Sequence, residues 1–175
     1  MIKAFVPTYH SQSIYEVPID FFARQGVKNL LIDLDNTLGS YRDRHPSREA
    51  AALVESFRCF GYNMVIISNN KGRRVRTYAE ELDVLYLNSA HKPLKKRLLD
   101  FIKRQGFRLN ETALIGDQLL TDCLVAHRLG IKVMLTEKLV AEDQWTTRIN
   151  RMIDRPLRRR YKRKGLLKNW REAYD

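Results

Sequence analysis

Four short stretches carry the side chains able to do chemistry: LLIDLDNTLGS (30–40), ISNN (67–70), HKP (91–93) and GDQLLTD (116–122). The first places two carboxylates, Asp33 and Asp35, at the end of the apolar run Leu30-Leu31-Ile32. An ionised aspartate in such surroundings is costly unless a cation, a proton or solvent relieves it. The conflict resolves if these carboxylates, with Asp117 and Asp122, hold a hard divalent cation. Mg²⁺ prefers oxygen ligands and leaves positions for waters and a phosphate oxygen. Such a cation also keeps Asp33 ionised, hence nucleophilic, at neutral pH, so that Asp33 can attack phosphorus and form an aspartyl-phosphate. Asp35 can protonate the leaving oxygen and then deprotonate the water that hydrolyses the intermediate. Thr37 and Ser68 offer hydroxyl and N–H groups to phosphate oxygens, and Lys92 offers positive charge where negative charge builds. Taken singly, each piece has an ordinary explanation: a turn aspartate, a helix-capping serine, a surface lysine. Their occurrence in order along the chain is what points to chemistry.

The elements that must position these groups follow from two alternating periodicities. Apolar runs of strand length lie at 29–34, 64–67, 84–87, 113–115 and 132–135, and helical patterns at 47–60, 73–82, 94–105 and 119–129. Gly61, Gly106 and Gly130 stand where helix C-caps are expected. Strands alternating with such helices imply βαβ units and a doubly wound, Rossmann-like α/β fold, a parallel sheet flanked by helices. Ligands bind such sheets beyond the carboxyl ends of the strands, and the four stretches fall there. The pattern predicts one domain over 1–155, with 1–28 as a leader packed on it through Ile14, Tyr15, Val17, Phe21 and Phe22. A last helix is expected over 142–153, and a basic tail over 156–175, to which no element is assigned after Pro156.

Composition narrows the class. At 175 residues, 44% hydrophobic and 30% charged, the chain can bury a core without staples and is not of a disordered type. Cys59 and Cys123 form no CxxC pair, which reads as a reducing compartment with both thiols as small core residues. No apolar run reaches the ~20 residues of a membrane span, and the first residues lack a signal-peptide core. A cytoplasmic location is expected, peripheral to a membrane at most. The net charge of +12 is concentrated between Arg148 and Lys164, where nine basic residues stand against one acid.

The four stretches together resemble the motifs of the haloacid dehalogenase (HAD) superfamily: DxDx(T/V), a Ser or Thr after a strand, a Lys, and GD followed by a further Asp. The leader SIYEVPIDFFARQGVKNLLIDLDNTL, with SNN, KP and GDQLLTD, is similar to the subfamily IIIA branch that holds YqeG-like proteins and resembles the mitochondrial phosphatidylglycerophosphate phosphatase. The likeness covers about residues 8–153. It implies a phosphatase with Asp33 as nucleophile and Asp35 as general acid/base. Mg²⁺ would be held by the Asp33 carboxylate, the Asp35 carbonyl and Asp117, with Asp122 beside them or acting through water. It implies Ser68 and Lys92 on the phosphoryl group, with Asn69 beside them, and gives His91 no role. About 35 residues separate Asp33 from Ser68, and about 24 separate Ser68 from Lys92. Each interval holds one helix and one strand, so no cap domain fits and the site should be open to a phosphate on a large body.

The basic run admits several partners. It can face anionic lipid, at roughly 1 kcal/mol per basic residue near the surface, which with the likeness favours phosphatidylglycerophosphate or a related lipid monoester. It can instead track a nucleic-acid backbone, as an end phosphatase or as a HAD-fold protein of weak or lost activity bound to RNA or the ribosome. It can also be a solvated charge run. Receiver domains place similar groups at strand ends but in another order: their acidic pair precedes the phosphoacceptor, and their lysine comes last.

Overall fold

The computed structural model describes residues 3–140 and 148–174. Six strands, β1 (Tyr9–Ser11), β2 (Asn29–Asp33), β3 (Asn63–Ile67), β4 (Leu85–Leu87), β5 (Thr112–Gly116) and β6 (Lys132–Thr136), form one parallel sheet in the order β1-β6-β5-β2-β3-β4. The chain winds outward from β2 through β3 to β4, then crosses back to β5 and β6. The switch in direction therefore lies between β2 and β5, where a crevice opens at the carboxyl ends of the strands. The register aligns Asp33 with Ile67 and Ile32 with Ile115, so the residues that follow β2, β3 and β5 emerge side by side.

Both faces of the sheet are covered, which is why β2 reads as an unbroken apolar run. Leu30, Ile32, Met64, Ile66 and Ile115 point to one side, against the leader with its short helix α1 (Phe21–Arg24), α2 (Arg48–Phe60) and α3 (Arg73–Glu81). Leu31, Val65, Ile67 and Leu114 point to the other, against α4 (Lys96–Arg104) and α5 (Leu124–Leu129). Helix α2 shows how the sequence specifies its element. The Ser47 hydroxyl accepts from the Ala50 N–H (3.0 Å) and caps the first turn, while Ala50, Leu53, Val54 and Phe57 fall on one buried stripe. Gly61 ends the helix at φ 98°, a conformation that costs a residue with a Cβ. Cys59, on the outer face of this helix, is exposed, so only Cys123 is the core thiol that was expected.

Two regions depart from the pattern read in the sequence. The leader contributes β1, an edge strand paired to β6, as well as the expected buried anchors Ile14, Val17, Phe21 and Phe22. The basic run does not become an unordered tail: α6 (Arg148–Arg163) continues through Pro156. A proline within a helix forfeits one hydrogen bond and costs about 3 kcal/mol. Anchors on both sides of it oppose that cost. Asp154 accepts from the Leu119 N–H (2.7 Å), and Tyr161 is buried in the second core cluster. Further on, Trp170 packs edge-on to Phe21 of the leader (5.9 Å between ring centres). The chain beyond 156 is thus part of the domain's packing. Residues 142–147 of the expected last helix lie outside the described residues. Among the described residues no helix is long and apolar enough to cross a membrane.

Candidate active site

Asp33 ends β2 and is 6% exposed. The chain then closes the turn Leu34–Gly39 through Asn36 N–H to Gly39 O (2.8 Å) and Gly39 N–H to Leu34 O (3.1 Å), with Asn36 at φ 66°. Asparagine tolerates that left-handed conformation better than most residues. Next to it, the loop after β4 runs alongside the loop after β3 (Ser89 N–H to Asn70 O, 3.1 Å; Ala90 N–H to Ser68 O, 2.9 Å) and carries Lys92 inward. Lys92 is buried, and its ammonium donates to Asp33 Oδ1 (2.5 Å) and Asp122 Oδ1 (2.7 Å).

Asp122 sits on a five-residue π-helical turn, Leu119–Cys123, at the start of the helix expected over 119–129. Such turns concentrate at functional sites. Its other oxygen accepts from the Gln118 N–H (3.0 Å), so the side chain folds back over the end of β5. That fold requires Gly116, where an added Cβ would lie 2.5 Å from Asp122 Oδ2. Asp33, Asp117 and Asp122, all buried, each offer an oxygen within 4.8 Å of the others.

Three carboxylates crowd this cluster. Burial raises the Asp33 carboxyl well above its usual range. Lys92 pulls it down, while Asp122, Asp117 and Asp35 push it up again. Burial works against the Lys92 ammonium as well, but Asp122 and Asp33 outweigh it and hold Lys92 firmly protonated. The Lys92 ammonium is shared by Asp33 and Asp122, and the Arg158 guanidinium reaches the Asp117 carbonyl. An all-oxygen, anionic donor set of this kind fits a hard divalent cation held by Asp33, Asp117 and Asp122. Two further buried atoms without a hydrogen-bond partner, Thr37 Oγ1 and Gln118 Oε1, lie on the turns after β2 and β5.

The predicted residues divide by what their side chains hold. Asp33, Lys92, Asp117 and Asp122 converge as expected. Asp35 is held by other partners: Oδ2 accepts from Ser68 Oγ (3.1 Å) and Asn70 Nδ2 (2.8 Å), and Oδ1 from Arg74 Nη1 (2.5 Å). Asn69 was expected on the phosphate, but its amide is engaged by the lysine's backbone. Oδ1 accepts from Lys92 N–H (2.7 Å) and Nδ2 donates to Lys92 O (2.8 Å). Asn69 thus braces the Lys92 backbone at two points and keeps its second Nδ2 hydrogen for another acceptor. His91 is exposed on the turn before Lys92, at φ 57°.

Two contributors escaped the sequence reading, Arg74 and Arg158, while Asn70 stood in the second stretch without a role. Arg158 donates from Nη2 to the Asp117 carbonyl (2.7 Å) and pairs with Glu137 (2.9 Å), tying α6 to the end of β5. Arg74 had a signal. Arg73 and Arg74 open α3, where the helix dipole disfavours cations. A cation placed there implies an anion facing it.

Comparison with known proteins agrees with this geometry. Residues 2–140 match the family model described as mitochondrial PGP phosphatase. The chain is 30% identical over 170 residues to "Probable phosphatase YqeG" of Bacillus subtilis, covering 97% of this chain and 98% of that one. Solved structures share the fold at low identity. A protein from Streptomyces avermitilis assigned to the HAD family hydrolases superposes with a TM-score of 0.52 (16% identity, 79% of this chain, 83% of that one). The 3-deoxy-D-manno-octulosonate 8-phosphate phosphatase of Moraxella catarrhalis, solved with magnesium, phosphate and its sugar, superposes with a TM-score of 0.50 (16% identity, 68% and 82%). Strand order and family match lead to one assignment: the chain has the fold of the HAD family hydrolases and belongs to the mitochondrial PGP phosphatase family.

Proposed function

We propose that the protein is a Mg²⁺-dependent phosphomonoester hydrolase that works through an aspartyl-phosphate on Asp33. The observation that carries this reading is the Lys92 ammonium bridging Asp33 and Asp122 beside a third buried carboxylate, Asp117. A divalent cation held there by Asp33, Asp117 and Asp122 would keep Asp33 ionised and draw a phosphate oxygen toward it. In the first half-reaction an Asp33 oxygen attacks phosphorus and the bond to the leaving oxygen breaks, with Asp35 supplying the leaving group's proton. In the second, water attacks phosphorus, its proton passes to Asp35 and the bond to Asp33 breaks. Lys92 faces the negative charge that builds on phosphorus in both. Thr37 takes a remaining phosphate oxygen through its unpartnered hydroxyl, and Ser68 joins it when its hydroxyl turns from Asp35 to the phosphate.

The substrate is proposed to be large or lipid-linked, phosphatidylglycerophosphate being the leading case. Supporting this, β2 and β3 are joined through α2 alone, and β3 and β4 through α3 alone, so among the described residues no inserted domain roofs the site. Helix α6 adds the exposed apolar side chains Met152 and Ile153 beside the exposed arginines Arg155, Arg159 and Arg160. That mixture suits an anionic lipid surface, which accepts apolar contact, better than a nucleic-acid backbone. The test is Mg²⁺-dependent phosphate release from phosphatidylglycerophosphate in mixed micelles, a 5′-phosphorylated oligonucleotide and an aryl phosphate. Preference for the lipid, lost in Asp33→Asn, supports both chemistry and substrate. Preference for the oligonucleotide removes the lipid. No release from any of them removes the enzyme reading.

A further inference from the structure

Arg74 has no part in the mechanism as stated, yet its guanidinium ties α3 to three points of the loop between β2 and α2, at the mouth of the site. Nη1 donates to Asp35 Oδ1 (2.5 Å), Nη2 to the Ser40 carbonyl (2.6 Å) and Nε to the Asp43 carbonyl (2.5 Å). Tyr78, one helical turn on, lies under the guanidinium (5.7 Å to the ring centre) and packs against Gly39, where an added Cβ would come within 3.0 Å of the phenol ring. Helix α3 thus grips the turn that follows the nucleophile at two points. The Arg74 side chain is only 20% exposed although it opens a surface helix. The planar guanidinium fork suits three acceptors set in fixed directions. A lysine at the same position presents one point charge and cannot hold a carboxylate and two carbonyls in that way.

From this geometry we infer that Arg74 is a positioning residue for Asp35 in the hydrolysis of the phosphoenzyme. Both oxygens of Asp35 accept hydrogen bonds, from Arg74 on one side and from Ser68 and Asn70 on the other. A carboxylate held in that manner is set to take a proton from water, which is the demand of the second half-reaction. Arg74 does not touch the phosphoryl group; it fixes the direction from which Asp35 meets the attacking water. The inference rests on the phosphatase reading above and adds to it a residue outside the four motifs.

Rapid-quench turnover of an aryl phosphate with Mg²⁺ separates the two half-reactions, because an aryloxide leaves without needing a proton. Wild-type enzyme, Arg74→Ala and Arg74→Lys are compared. In Arg74→Ala the first-turnover burst of aryl alcohol, equal to the enzyme present, is kept at wild-type rate. Steady-state turnover falls ~10–100-fold, the range that misplacing an acid–base group produces, and phosphorylated Asp33 accumulates. Added guanidinium restores part of the lost turnover, and Arg74→Lys stays slow. If burst and steady state fall together in both variants, or neither falls, Arg74 is a structural residue and the inference is overturned. If wild-type enzyme shows no Mg²⁺-dependent release, the phosphatase reading itself falls, an outcome distinct from the others.

Discussion

Lys92 lies 2.5 Å from Asp33 and 2.7 Å from Asp122, with 3% of its side chain exposed. It is therefore the main electrostatic counterweight to the buried carboxylates. Lys92→Met keeps much of the side-chain length and removes the charge. Breaking a buried pair by removing one partner costs about 3–5 kcal/mol, because the other charge is left uncompensated. At roughly 2–4 °C per kcal/mol for a domain of this size, the melting temperature should fall by about 6–20 °C. The loss should depend on pH in a definite direction. Burial already raises Asp33, and without Lys92 it rises further. A carboxyl whose folded pKa is raised contributes stability below its unfolded value near 3.9, and that stability is lost as pH rises through the folded value. The variant should thus lie closer to wild type at pH 5 than at pH 8. Thermal or urea unfolding in chelator gives these numbers. Adding Mg²⁺ should then stabilise the variant by about 2.7 kcal/mol at a hundred times its dissociation constant. A variant within about 0.5 kcal/mol of wild type at pH 8, the range of an ordinary surface substitution, would refute the charge balance drawn for this site.

Other consequences follow from single contacts. Gly116→Ala drives a methyl into the Asp122 carboxylate, 2.5 Å from Oδ2. About 1–3 kcal/mol of stability should be lost by urea titration, with activity falling further than stability because Asp122 and Lys92 move together. Glu137, beside His10 and Arg158, is held down at about 2. The stability it adds is complete above the unfolded value near 4.5 and is lost as pH falls through about 2. Partial exposure keeps that contribution to ~0–1 kcal/mol, so Glu137→Gln should lower the melting temperature slightly at pH 7 and not at pH 2. Deleting residues 156–175 removes the buried rings of Tyr161 and Trp170. Those two rings contribute roughly 8–12 kcal/mol of apolar burial at ~25 cal/mol/Å², comparable with the whole stability of a domain. The truncated chain should show no cooperative unfolding by calorimetry.

The parts of this molecule legible in its sequence are those fixed by local pattern. Buried parallel strands must be continuous apolar runs, and ligand groups of a doubly wound sheet must follow them. Asp33, Ser68, Lys92 and Asp117 could therefore be placed at strand ends from spacing alone. What stayed hidden depends on distant partners. Strand β1 is three residues, Tyr9–Ser11, with no apolar run of its own, and exists because β6 offers it an edge. Helix α6 crosses Pro156 because Leu119 and the second core cluster hold it from outside. Asn69 looked like a phosphate ligand because it stands in the motif, and only the path of the loop after β4 shows that its amide is taken by Lys92. Arg74 was recoverable in principle, from its unfavourable place at a helix N-terminus.

Passage of phosphate through a covalent bond to Asp33 is the step on which the proposed chemistry stands. Acid quench of the enzyme during turnover with Mg²⁺ and an aryl phosphate, followed by mass spectrometry of the peptide carrying residues 29–42, tests it directly. A hydroxylamine-labile phosphoryl group is expected on Asp33, absent from Asp33→Asn, which should also be inactive. Turnover retained by Asp33→Asn, or phosphate on another residue while Asp33 stays bare, would contradict it.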